Sequence, residues 1–185
     1  MPIALYLPFL ANLALSGVLI DQIAIVVDQS IIKDSDIDRD VRVTEFLNHE
    51  PLNLGAAERK KAGNQLIDQI FIRQEIRDGD YPWATVKQAN DELESLIKKR
   101  YPSIAAFQRA LKSYGLEESD LREQFRWQLT VLQFIDARFA PAVVLPEGES
   151  SDKSKVDAEV NRLFFAWLDQ HRKDAKIVFH EEGLA

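Results

Sequence analysis

Apolar residues recur along this chain at two periods. Between residues 56 and 78, Leu66, Ile67, Ile70 and Phe71 share one side of a helix at 3.6 residues per turn, while Ile72 and Ile76 fall nearly opposite. A helix with one apolar stripe packs on one neighbour; one that is apolar on two sides is covered on two sides. This segment is therefore the expected hub. Arg77 and Gly79 mark its end, a cation and then a residue free to leave the helix.

Helical spacing continues on both sides of the hub. It marks residues 35–48 with Ile37, Val41 and Leu47, residues 85–100 with Val86, Ala89, Leu93 and Ile97, and residues 103–114 with Ile104, Phe107, Leu111 and Tyr114. A longer helix opens at Ser119. Its main face is Leu121, Phe125, Leu129, Leu132 and Phe139, and a second stripe holds Trp127, Val131 and Phe134. Ser35, Thr85, Ser103 and Ser119 stand where a side-chain oxygen can accept the first free amides, and Gly115 suits a helix stop. A last stripe, Val156, Val160, Leu163, Phe164, Trp167, Leu168 and His171, predicts a helix over residues 156–173.

The second signal is β-branched. Residues 23–27 read Ile-Ala-Ile-Val-Val and are followed by a polar Asp28-Gln29-Ser30 turn and by Ile31-Ile32, which predicts a hairpin. Residues 176–179 form the other strand signal. A lone strand cannot satisfy its own backbone groups, so the C-terminal strand is expected to pair with the hairpin. The predicted fold is mainly α: a multi-helix bundle with a small antiparallel sheet made by the N-terminal hairpin and the C-terminal strand. Residues 21–185 form one domain, in which a Pro- and Ser-rich linker at 141–154 leads to a returning helix and strand at 155–181.

Composition narrows the partners. The chain has 185 residues and a net charge of -7, which argues against a nucleic-acid backbone as the partner. It has no cysteine, so neither a disulfide nor a thiolate metal site is available. Residues 1–20 carry no charged side chain. They read as a secretory signal peptide with small residues near Ala14 and Ser16. The alternative is an uncleaved hydrophobic segment, since about 20 apolar residues can span a bilayer. Only in that case would the membrane be a partner.

Several segments, taken in order, resemble the N-terminal domain of the SurA family of periplasmic chaperones. Residues 23–27, Ile31-Ile32 and Ser35-Asp36-Ile37-Asp38 are similar to its opening hairpin and first helix. Residues 66–75 resemble its long second helix. Tyr114-Gly115-Leu116, Leu121-Arg122 and Gln124-Phe125-Arg126 resemble the approach to its last long helix. Trp167-Leu168, Arg172, Ala175 and Ile177 resemble its closing helix and strand. The likeness spans residues 21–181. It departs from the family at Ser30, where a Gly is usual, and at residues 141–154, where parvulin isomerase domains are usually inserted. That interval is too short for a domain, which needs about 50 residues. The resemblance implies an exported, ATP-independent chaperone core that binds unfolded or outer-membrane polypeptides, without the catalytic insert and without a cofactor. An isomerase-related protein and a membrane-anchored envelope subunit are the alternatives.

Candidate chemistry is sparse. Asp34, Asp36, Asp38, Asp40 and Glu45 imitate the spacing of a calcium loop, but Arg39 stands where that loop needs Gly. His49, His171 and His180 are far apart in sequence, and no nucleophile or phosphate-loop motif occurs. The surplus is aromatic and apolar. Phe107, Tyr114, Trp127, Val131, Phe134 and Phe165 are the candidate client-binding residues, because rings give large contact area at modest entropic cost.

Overall fold

The computed structural model describes residues 21–144 and 152–180. The expected signal segment, the middle half of the linker and the last residues lie outside the described residues. The chain is mainly α, with a small antiparallel sheet. Its elements run β1 (Ile23–Val27), β2 (Ser30–Lys33), α1 (Asp34–Asn48), α2 (Ala56–Asp78), α3 (Val86–Arg100), α4 (Ile104–Ser113), α5 (Glu118–Phe139), α6 (Lys153–Asp174) and β3 (Ile177–Phe179). A single 3-10 turn, Ala140–Ala142, follows α5 and occupies the start of the expected linker.

The sheet has the order β2-β1-β3, so both ends of the described chain meet on one central strand. Its turn works without glycine. Asp28 takes the left-handed conformation, φ 51°, which Asp tolerates better than most residues. The same residue docks the far end of the chain: its amide donates to the Lys176 carbonyl at 2.9 Å, and its carboxylate accepts the Lys176 amide at 2.8 Å. His180 N–H donates to the Ala24 carbonyl at 2.8 Å. These bonds show that the even-numbered residues of β1 face β3, because backbone groups alternate sides along an antiparallel strand. Ile25 and Val27 therefore pair with Ile32 and Ser30 of β2. Ile31, opposite Val26, is left with its N–H and C=O pointing out from the sheet's edge.

Two cores lie beneath. A sheet-side core joins Ile25, Val27 and Ile32 to Ile37 and Val41 of α1, Ile67, Phe71 and Ile76 of α2, Trp127 and Phe134 of α5, and Val160, Phe164 and Leu168 of α6. A helical core joins Val43 and Phe46 of α1, Leu93 of α3, Phe107 and Leu111 of α4, and Leu121 of α5. The hub, α2, packs against α1, β1, β2 and α6, and both Ile67 and Ile72 are buried. Its two apolar sides are covered as its sequence demands.

Local expectations hold in part. Thr85 accepts the Gln88 amide at 3.2 Å and Ser103 the Ala106 amide at 3.2 Å, as caps of α3 and α4. Ser35 is not a cap. Helix α1 starts a residue earlier, Asp36 accepts the Lys33 amide at 3.0 Å, and the Ser35 hydroxyl donates to Asp21 at 2.5 Å. Ser119 is displaced likewise, since Asp120 accepts the Glu117 amide at 2.7 Å and α5 begins at Glu118. An acid at N3 reaching back displaces the serine in both helices. Helix α6 follows its predicted stripe and is tied down at its end. Arg172 donates to Asp68 at 2.6 Å and to the Asn64 carbonyl at 2.6 Å, a clamp onto α2.

Candidate functional site

Most of the candidate client-binding residues are core. Phe107 and Phe134 are fully buried, and Trp127 nearly so. Phe107 meets Phe46 and Tyr101 edge-on, and Phe134 does the same with Tyr81, Phe139 and Trp167. Tyr114 is half-buried, with its hydroxyl donating to the Glu50 carbonyl at 2.6 Å. Val131 packs against the sheet-side core. Only Phe165, 60 % exposed, faces outward. The six do not form one surface. The reason lies in α5, which packs with both stripes: Trp127 and Phe134 of the second and Leu121 and Phe139 of the main face are buried, while Leu132 of the main face is 64 % exposed. Thr130, which breaks the apolar pattern, is fully buried. Its hydroxyl accepts the Ala84 amide at 3.0 Å and donates to the Arg126 carbonyl at 2.7 Å, so both buried polar groups are satisfied.

A groove does form elsewhere, between α1, α2 and α5. Each helix lends it one stripe at i, i+3, i+4 and i+7: Asp36, Arg39, Asp40 and Val43 from α1, Leu66, Gln69, Ile70 and Arg73 from α2, Asp120, Glu123, Gln124 and Trp127 from α5. Residues at this spacing share a helix face. Ile31 and Ile32 of β2 close one end, and the cavity measures about 240 Å³. That is below the range of about 300–1,000 Å³ usual for small-molecule sites. It suits one or two side chains of a longer partner. Ile31, 51 % exposed, stands at its mouth.

The walls are charged and mostly paired. Arg39 bridges α1 to α5, donating to Asp120 at 2.9 Å and to Glu123 at 2.6 Å. The Arg73 guanidinium lies 4.0 Å from the centre of the Trp127 ring and 5.7 Å from that of Trp83, within cation–π range. Asp40 differs from the rest. Burial pushes its carboxyl up to about 6, against which a hydrogen bond from Gln69 pulls the other way. Its Oδ2 is buried and has no partner among the described residues. Desolvation of an unpaired carboxylate disfavours its charged form.

The calcium-like spacing comes apart in three dimensions. Asp34 and Asp38 both bind Arg59, Asp36 closes the helix start, and Glu45 accepts the Asn53 amide at 2.7 Å. Among the described residues, no group of three or more His, Asp or Glu could hold a metal ion. His171 is structural: its Nδ1 lies 3.0 Å from the Trp167 carbonyl, which can only accept, and its ring packs on Phe71 and Trp167.

Among known proteins, no family model and no curated sequence matches the chain. The groove must be read from its own chemistry. Sequence reasoning missed it because more than half its lining is polar and no apolar stripe marks it. The available signal was the repeat of one mixed stripe, with Arg39, Gln69 and Glu123 at the matching i+3 positions on three helices. No described helix is long and apolar enough to cross a membrane.

Proposed function

We propose that this protein is a SurA-like, ATP-independent chaperone of the periplasm, which holds unfolded segments of outer-membrane proteins and lacks an isomerase domain. One observation carries the reading: a groove lined in part by apolar residues lies beside the edge of β2, which is unpaired among the described residues. Leu66, Ile70 and Val43 offer burial to an apolar side chain, while Ile31 turns a backbone N–H and C=O that no described strand pairs with toward the sheet's edge. An extended chain can satisfy its backbone on a strand edge and place alternate side chains in a pocket. The order of family-like segments along residues 21–181 supports the same reading.

The mechanism is reversible burial. A groove this small engages a short stretch of client at a time, so each contact is weak and release needs no nucleotide. The acidic surface, with a net charge of -7, keeps the loaded chaperone dispersed. The test is dilution of a urea-unfolded outer-membrane protein into buffer with the chaperone and no ATP. Light scattering should fall in proportion to chaperone added, and isomerisation of a prolyl peptide should not accelerate. Undiminished scattering at a several-fold excess of chaperone overturns the reading.

A further inference from the structure

The groove's charges do not cancel. Four carboxylates, Asp36, Asp40, Asp120 and Glu123, face two guanidinium groups, Arg39 and Arg73. Three of the acids are already engaged within the chain: Asp120 and Glu123 by Arg39, and Asp36 by the Lys33 amide. Asp40 keeps one buried oxygen without a partner among the described residues. Arg73 does not neutralise it, because its guanidinium is held over Trp127 and forms no ion pair with Asp40. Behind Asp40, in the narrow cleft between α1 and α2, Lys61 is turned to Glu58 at 3.9 Å. A buried carboxylate in this position lacks one thing, a cationic donor, and Asp40 is part of the groove's lining.

We propose that the groove selects extended polypeptide segments bearing a lysine or arginine, whose cationic head becomes the counter-ion of Asp40 while its methylene stem lies along Leu66 and Ile70. The nature of the occupant rests on the holding-chaperone reading; the preference for a basic side chain is new. Charge complementarity favours it, since the groove carries two more acids than bases. So does size: a cavity of about 240 Å³ takes a long side chain but not a folded partner. Long basic side chains bury their stems on apolar surface and keep the head for a polar partner. An acidic segment meets the opposite outcome, a carboxylate brought to Asp40, Asp36 and Glu123. Selectivity therefore comes from repulsion as well as attraction.

The test uses fluorescein-labelled peptides of alternating valine and serine with one central residue, lysine, glutamine or glutamate. Anisotropy titrations with the intact chain should show the lysine peptide binding about tenfold more tightly than the glutamine one, a difference of about 1.4 kcal/mol, and the glutamate peptide binding least. Asp40→Asn, which keeps the shape and removes the charge, should bring lysine and glutamine peptides to equal affinity. Asp40→Glu should retain the order. Two results overturn the proposal: equal binding of the three peptides by the unaltered protein, or a lysine preference that survives Asp40→Asn. Either result with client aggregation still suppressed leaves the holding reading standing. If no peptide binds and aggregation proceeds unchecked, both readings fall.

Discussion

The two cores share two helices but are assembled differently. The helical core draws all its buried residues from one continuous stretch, between Val43 and Leu121. The sheet-side core joins residues such as Ile25 and Leu168 from opposite ends of the chain. Helices α1 and α5 run through both: Val41 and Phe134 face the sheet side, Val43 and Leu121 the helical side. Closing a long loop costs conformational entropy before its contacts repay it. The helical core can therefore form from local contacts, whereas the sheet-side core waits for α6 and β3 to return. The return path is held by the Arg172 clamp onto α2 and the paired bonds between Asp28 and Lys176. The groove lies where the two cores meet, because α1, α2 and α5 all line it.

The strongest way to break this comparison is to hollow out each core in turn. Phe134→Ala removes a ring packed against Tyr81, Phe139 and Trp167, and Phe107→Ala one packed against Phe46 and Tyr101. Each should cost about 3–5 kcal/mol in urea unfolding, as deleted core aromatics do. Because α1 and α5 thread both cores, each variant should still unfold in one transition by circular dichroism and fluorescence alike. Two separated transitions in either variant would show that the shared helices do not couple the cores.

The architecture was largely legible in the sequence, and the site was not. The hub helix announced itself by its two apolar sides, and the α6 stripe by its regular spacing. The meeting of the chain ends followed from the need of residues 176–179 for a strand partner. What the pattern hid was orientation. In α5, apolar residues cover so much of the circumference that periodicity cannot say which of them stay outside, so neither the exposure of Leu132 nor the burial of Trp127 could be read from it. The buried Thr130 was invisible because its worth depends on the Ala84 amide, far away in sequence. The groove was illegible for the same reason: Asp40 looks like one more acid at a helix start until α2 covers it.

The next largest effect concerns the return path. Arg172→Met keeps the stem of the side chain but leaves the Asp68 carboxylate without its cationic partner and removes the extra donor to the Asn64 carbonyl. The loss should be about 1–3 kcal/mol, the usual cost of orphaning partly buried polar groups. Amide exchange should speed up in α6 and β3 while α3 and α4 stay protected. Uniform loss of protection would mean that α6 does not open as a separate unit.

Asp40 offers a comparable effect of opposite sign. Its carboxyl titrates at about 6 in the folded chain against 3.8 for the ordinary group. The folded state therefore holds the proton more tightly than the unfolded state. Between about pH 4 and 6 stability should fall as pH rises, and above 6 the full penalty, about 3 kcal/mol, remains. The charges around Asp40 are Asp36 and Arg39 on α1, Arg73 on α2, and Asp120 and Glu123 on α5 on the groove side, with Glu45, Glu50, Glu58 and Lys61 lining the cleft behind it. Asp40→Asn should raise stability at pH 8 by about that amount and flatten the slope, while giving no gain at pH 3.5. An unchanged pH profile in urea unfolding would place the ionisation elsewhere.

The smallest effect tests the order of assembly. Ser103→Ala removes the cap of α4, which lies wholly within the helical core, and should cost about 1 kcal/mol. If the contiguous core forms first, that cap exists in the folding transition state, and the variant should fold more slowly with little change in unfolding rate. Arg172→Met acts on contacts made late, so it should instead speed unfolding and leave folding untouched. Both losses are large enough for the ratio of kinetic to equilibrium effects to be meaningful, since it becomes unreliable below about 0.6 kcal/mol. The reverse assignment, with the clamp formed early and the cap late, would mean that the distant ends find each other before the local helices pack. Loop-closure entropy would then not govern how this chain folds.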